Sequence, residues 1–183
     1  MIEEGSYSVD LSQAFRFCPR CAAPGPEIRR GRQLTCPRCG LQFFFNTAAA
    51  AGAFVFAEGQ LLLCVRAHEP GQGMLDVPGG FIEFDESVEE GLRREIAEEL
   101  SIEVSELRYL MSAPNDYRYA DIPYKTADMF FVCEAQDGGA LIAADDVADV
   151  VRVDPFRVNP EQFAFASTRT AFMALLETLS AKA

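Results

Sequence analysis

The stretch Gly80–Ile102, GFIEFDESVEEGLRREIAEELSI, decides the reading of this chain. Its second part, Ser87 to Leu100, has the marks of a helix whose start is set locally: Ser87 and Glu90 stand at capping-box spacing. A helix advances about 100° per residue. With Val88 at zero, Leu92 falls near about 40° and Ile96 near about 80°, which is one apolar face. Glu95 at about 340° and Glu99 at about 20° flank that face, and Glu98 at about 280° adjoins it. Burying unpaired carboxylates is costly, and like charges four residues apart repel. Two readings follow. Either this is a solvated acidic helix whose glutamates pair with Arg93, Arg94 or lysines elsewhere, or three carboxylates converge on a hard, oxygen-preferring ion such as magnesium or manganese.

Working outward, Glu69 to Gly80 is rich in Gly and Pro and reads as loop. Residues 54–56 and 60–65 are strand candidates joined by Glu58-Gly59 as a hairpin. Further strands are expected near 106–111, 128–134 and 150–153, with Asp137-Gly138-Gly139 as a turn. A last helix is expected to open at Asn159-Pro160 and to turn Phe165, Phe172, Leu175, Leu176 and Leu179 toward a core. Strands interrupted by two helices predict a mixed-sheet α/β/α sandwich.

Near the N-terminus, Cys18-Pro19-Arg20-Cys21 is repeated as Cys36-Pro37-Arg38-Cys39. Two such turns can present four thiolates to one tetrahedral zinc ion, and a module this small needs a staple to fold. Four thiolates close the coordination shell, so the zinc is expected to be structural. The same region carries Arg16, Arg20, Arg29, Arg30, Arg32 and Arg38, the feature that most favours nucleic-acid binding. Small ribbons also serve as packing or dimerisation modules, which makes a homodimer one expected assembly. Cys64 and Cys133 lie inside apolar runs and read as buried thiols without a chemical task.

These readings divide the chain into an arm (1–14), a four-cysteine zinc ribbon (15–46), an alanine-rich linker (47–52) and a catalytic-sized domain (53–183). The 28 acidic and 16 basic residues leave a net charge of −12, which disfavours non-specific contact with nucleic acid. It leaves small phosphorylated compounds open, because a bound divalent cation reverses the local field. No charged leader precedes an apolar run and no stretch has the length of a membrane span, so a cytoplasmic protein without membrane contact is expected.

Gly80, Glu86, Arg94, Glu95, Ile96, Glu98, Glu99 and Ile102 match the Nudix box, Gly-x5-Glu-x7-Arg-Glu-U-x-Glu-Glu-x-Gly-U with U a bulky aliphatic. The one departure is Ser101, where the pattern has Gly. The chain therefore resembles the Nudix hydrolase superfamily. That resemblance implies hydrolysis of a nucleoside-diphosphate-linked pyrophosphate, with Glu95, Glu98 and Glu99 binding catalytic Mg or Mn. Arg94 would orient a carboxylate, Glu86 would support the metal shell, and Gly79-Gly80 would sit beside the pyrophosphate. Family members use a further acidic residue before a late strand; here Asp145-Asp146 is the counterpart, with Asp146 preferred and Glu98 the alternative general base.

A zinc ribbon joined to such a domain resembles the NADH-pyrophosphatase branch and its short zinc-ribbon relatives. That branch carries Ser-Gln-Pro-Trp-Pro-Phe-Pro-x-Ser after the box, where this chain has Ser112-Ala113-Pro114-Asn115-Asp116-Tyr117-Arg118 and no tryptophan anywhere. Leu75 to Gly80 and Ala164 to Arg169 match segments of the short relatives. A nucleotide sugar or dinucleotide is the expected substrate, of ADP-ribose or NAD(H) type. Phe81, Phe84, Tyr117, Tyr119 and Tyr124 are candidates to stack on its rings. The alternatives are an RNA-directed enzyme that removes a cap-like end and a catalytically silent nucleotide-binding regulator.

Overall fold

The computed structural model describes residues 11–119, 122–136 and 147–181. They form two compact units, one of residues 11–47 with 118–119 and 122–124, the other of 48–117 with 125–136 and 147–181. The reading of Asp137-Gly138-Gly139 as a turn lies outside the described residues, as do Asp145 and Asp146.

In the smaller unit a single helical turn, α1 (Leu11–Ala14), precedes three short strands, β1 (Glu27–Arg29), β2 (Gln33–Thr35) and β3 (Gln42–Phe44), in an antiparallel sheet of that order. Its buried side chains are few, among them Leu11, Cys18, Ala23, Leu34 and Cys36, with Cys21 and Cys39 half-buried. Equivalent hydrogen bonds shape the two cysteine turns. The Cys18 amide donates to Ala23 O at 2.8 Å and the Cys36 amide to Leu41 O at 2.9 Å.

The larger unit holds β4 (Ala48–Ala57), β5 (Gln60–Arg66), β6 (Leu75–Asp76), β7 (Gly79–Phe81), α2 (Val88–Leu100), most of β8 (Arg108–Tyr119) and of β9 (Ile122–Glu134), β10 (Val147–Val153) and α3 (Ala166–Ser180). The sheet order is β10-β5-β4-β9-β8, with β6 on β5 and β7 on β4; β4 and β9 run parallel. Successive side chains of a strand face opposite ways, and this alternation builds two cores. Ala53, Val55, Leu62, Phe131 and Cys133 pack with Leu92, Ile96 and Leu100 of α2. Phe54, Phe56, Leu61, Leu63 and Phe130 pack with Phe172 and Leu175 of α3. The expected mixed-sheet α/β/α sandwich is what the chain forms.

Several elements differ from the sequence reading. Residues 48–52, read as a connection, are the first half of β4, where small side chains let β7 lie close on one side and β9 on the other. The Gly-Pro stretch read as loop contains β6 and β7. Asn159-Pro160 opens a short 3-10 turn, Pro160–Gln162, and α3 starts only at Ala166. Phe165 is therefore the N-cap residue of α3 and does not join its core-facing stripe.

α2 begins at the expected capping box, with Ser87 Oγ accepting from the Glu90 amide and Glu90 accepting from the Ser87 amide. At its end Ser101 takes the left-handed conformation (φ 55°, ψ 35°) that glycine usually supplies, and its amide still closes on Ala97 O at 3.0 Å. A residue with a Cβ is strained there by about 1 kcal/mol. Ser101→Gly should therefore raise the thermal midpoint by about 2–4 °C in a denaturation scan. An unchanged or lower midpoint would contradict that view of the cap.

Candidate active site

One cavity of about 380 Å³ opens in the larger unit. The small residues Ala50, Ala51 and Gly52 of β4 form part of its lining, next to Gly79 and Gly80 of β7. Gly79 sits at φ 146°, and a Cβ there would stand 2.1 Å from Ala51 O. A Cβ on Gly80 would stand 2.6 Å from the Glu95 carboxyl. Any side chain at these two positions would push β7 off β4 or displace Glu95, so the close approach requires glycine.

α2 supplies the acidic wall. Glu99 is 8% exposed, and its Oε2 accepts the Gly79 amide proton at 2.9 Å. Glu95 and Glu98 line the cavity beside it. Arg94 crosses this group: Nε and Nη2 donate to the two Glu86 oxygens at 3.2 and 2.8 Å, and Nη1 donates to Glu95 at 2.9 Å and Glu98 at 3.1 Å. Nη2 also reaches Phe81 O at 3.2 Å. The Arg94 hydrogen bond is the main cause that holds the Glu86 carboxyl below the usual carboxylate range. Glu86 lies behind Arg94 and does not line the cavity.

The second wall comes from the α3 side of the sheet. Asp76 accepts from Arg66 Nη1 at 3.1 Å and from Thr168 Oγ1 at 3.2 Å, and burial raises its pKa. The Arg66 guanidinium lies over the Phe165 ring at 4.8 Å. Phe165, Tyr117 and Phe81 follow one another at centroid spacings of 5.7 and 5.5 Å. Asp128 and Thr126 of β9 complete this side.

Of the residues singled out in the sequence, Glu95, Glu98, Glu99, Arg94, Gly79, Gly80, Phe81 and Tyr117 meet at the cavity. Phe84 does not; it is 99% exposed. His68 is not among the lining residues. Cys64 and Cys133 are buried, and burial pushes both thiols up, Cys133 to about 12. The reading missed Arg66, Asp76, Glu83, Thr126, Asp128, Phe165 and Thr168.

Charge decides what the cavity can hold. Asp76, Glu83, Glu95, Glu98, Glu99 and Asp128 line it against Arg66 and Arg94, an excess of four negative charges. A pyrophosphate would be repelled by about 4 kcal/mol per charge pair at 4 Å and an effective dielectric of about 20. Hard divalent cations remove that repulsion, and the glutamate oxygens are the donor set such ions prefer. In the smaller unit Cys18, Cys21, Cys36 and Cys39 bring their sulfurs within 4.8 Å of one another, with Cys18–Cys39 and Cys21–Cys36 each at 3.7 Å. All four are free thiols, a set suited to one tetrahedral zinc.

A sandwich whose glycine-floored cavity is walled by the carboxylates of α2 suits a divalent cation beside an anionic ligand. The chain belongs to the Nudix family: the NUDIX domain model matches residues 46–175. It is 30% identical to the human mitochondrial NAD(P)H pyrophosphatase NUDT13 over 122 residues, 67% of this chain and 32% of that one. It is 32% identical to the NAD-capped RNA hydrolase NudC of Chromobacterium violaceum over 114 residues, 61% of this chain and 43% of that one. The chain thus spans less than half the length of these curated relatives. Among solved structures, a NUDIX hydrolase from Nitrosomonas europaea superposes with a TM-score of 0.68 at 24% identity, covering 85% of this chain and 87% of that one. The NUDIX domain of Shewanella oneidensis NrtR, solved with ADP ribose, gives 0.60 at 23%, covering 74% and 90%. At these identities the likeness shows the fold. Among the described residues no helix is long and apolar enough to cross a membrane.

Proposed function

We propose that this chain hydrolyses the pyrophosphate of a nucleoside-diphosphate-linked small molecule, of ADP-ribose or NAD(H) type, with Mg or Mn at Glu95, Glu98 and Glu99. The observation that carries this is that those glutamates, Gly79-Gly80 and an aromatic wall line one cavity. A bound divalent ion supplies positive charge to the phosphate oxygens and acidifies a water molecule. The chain's own residues do the rest. Gly79 and Gly80 leave room for the phosphates, and Phe81 and Tyr117 offer ring faces to the flanking group. Arg94 fixes Glu86, Glu95 and Glu98 in one arrangement. Water attacks one phosphorus, the bridging P–O bond breaks, and two phosphate monoesters leave. Glu98, half exposed at the cavity edge, takes the water's proton in our reading, with Asp146 as the alternative acceptor. The four cysteines hold a structural zinc, and a reducing, cytoplasmic setting suits their free thiols.

A second reading is favoured by one specific feature. Phe17, Phe43 and Phe44 are exposed at 61, 46 and 56% on the arginine-rich ribbon, where aromatic rings and guanidiniums suit single-stranded RNA. One experiment separates the two. Zinc-loaded protein with Mg or Mn is offered NADH, NAD, ADP-ribose, ADP-glucose, diadenosine polyphosphates, nucleoside triphosphates and an RNA with an NAD 5′ end, and products are resolved chromatographically. We expect ADP-ribose or NAD(H) to be cleaved to two monophosphates. Turnover of the RNA alone, lost steeply with salt, would move the assignment to the second reading.

A further inference from the structure

Thr126, Asp128 and Phe130 alternate along one face of β9, the face that packs toward α3. Phe130 is core and reaches the cavity, which Thr126 and Asp128 also line. Ser167, in the first turn of α3 and 1% exposed, sits behind Asp128. The Ser167 hydroxyl donates to Asp128 Oδ2 at 2.6 Å, and the Thr126 hydroxyl donates to Oδ1 at 2.6 Å. Each hydroxyl has one proton and uses it here, so both keep only acceptor lone pairs. Each carboxylate oxygen has a second lone pair, and the carboxylate borders the cavity. On the same wall, Asp76 is occupied by Arg66, Thr168 and the Val77 amide, and Arg66 is further tied to Pro70 O at 2.7 Å. This holds the Phe165 ring under the Arg66 guanidinium. The proposed hydrolysis assigns no step to any of these groups.

We propose that Asp128, locked by Thr126 and Ser167, determines substrate specificity: it accepts N–H or O–H donors from the group attached to the pyrophosphate, beside the Phe165–Tyr117 ring surface. The inference rests on the pyrophosphatase reading above and deepens it. The chemistry required is a flat ring that carries or adjoins hydrogen-bond donors. Two parts of a nucleoside diphosphate compound provide this, the amino edge of the base and the diol of a ribose. A substrate without the donor leaves a desolvated carboxylate unpaired, which is how a polar pocket rejects near-isosteres. Thr126 and Ser167 act through Asp128 and are positioning residues.

The test uses full-length, zinc-loaded protein with Mg and four compounds: ADP-ribose, its analogue with unsubstituted purine in place of adenine, and its analogues lacking the hydroxyls of one ribose or the other. For Asp128→Ala and Asp128→Asn we expect KM for ADP-ribose to rise roughly 10- to 100-fold while kcat stays within about threefold. The analogue lacking the donor read by Asp128 should show nearly the same kcat/KM in wild type and variant, and which analogue does so identifies amine or diol. Thr126→Val should fall between, and Thr126→Ser, which keeps the hydroxyl, should restore the wild-type KM. Loss of folded protein lowers all four compounds in proportion, so their ratios remain diagnostic. Wild-type turnover with equal losses on all four compounds, or with an unmoved KM, overturns the role of Asp128 alone. A folded wild type that cleaves none of the compounds overturns the pyrophosphatase reading and this inference with it.

Discussion

Glu99→Gln should lower the turnover of a cleaved pyrophosphate by about 100- to 1000-fold at saturating Mg, a loss of roughly 3–4 kcal/mol of transition-state stabilisation. The glutamine carbonyl can still accept the Gly79 amide proton that Glu99 accepts at 2.9 Å, so the contact between α2 and β7 is kept. What disappears is one negative oxygen donor from the wall proposed to hold the divalent ion. Glu98→Gln should have a comparable effect on rate with almost none on stability, because Glu98 is half exposed and its charge has solvent on one side. Cys36→Ser is the control. It removes a thiolate from the ribbon, which has its own sheet and interior, and at equal folded concentration should reduce the rate far less. Steady-state rates of the three variants check the order. Equal losses in all three would contradict the division between a catalytic and a structural metal.

The second large effect is expected at Arg94. This one guanidinium serves Glu86, Glu95 and Glu98 at 2.8–3.1 Å and also holds Phe81 O. Arg94→Ala leaves these carboxylates facing one another, and we expect the thermal midpoint to fall by several degrees and turnover by about 100-fold. Arg94→Lys returns the charge but only a single point of donation, so it should recover part of the stability and little of the rate. The pH dependence of the stability difference follows from Glu86. Its folded-state pKa is held below the ordinary value of 4.5, chiefly by the Arg94 hydrogen bond. The contribution is therefore complete above that value and is lost as pH falls through the lowered folded value. Denaturation of wild type and Arg94→Ala should show the largest gap near neutral pH and a shrinking gap under acid. A gap that widened with acid would contradict the pairing.

Local rules reached some elements and not others. The start of α2 was legible because its capping box is contained within four residues, and the wheel put Glu95 and Glu99 beside the buried face because helical phase is local. The hairpin at Glu58-Gly59 was legible for the same reason: both residues take positive φ, at 53° and 77°, and Ala57 pairs with Gln60. The first half of β4 was not. An alanine run has little strand preference of its own, and it is a strand because β7 and β9 pair with it. Phe165 read as core because it falls in phase with Phe172; the late start of α3 puts it at the cap, facing Tyr117 and Arg66. Asp128 and Thr126 were passed over because β9 was read from Asp128 onward as an apolar strand. The signal present was a polar pair on the face that continues as Phe130 and Val132. Asp76, Arg66 and Thr168 gave no signal, since their meeting is purely tertiary.

The measurement that tests the central claim most directly is cleavage of ADP-ribose in ¹⁸O-labelled water, with Mg titrated from zero and products read by phosphorus NMR and mass spectrometry. We expect no turnover without added divalent ion, AMP and ribose 5-phosphate with it, label in only one of the two products, and near-abolition in Glu98→Gln and Glu99→Gln. Absence of cleavage by folded, zinc-loaded protein at saturating Mg or Mn, across ADP-ribose and the other pyrophosphates, would contradict the account, as would a rate unchanged when both glutamates are replaced.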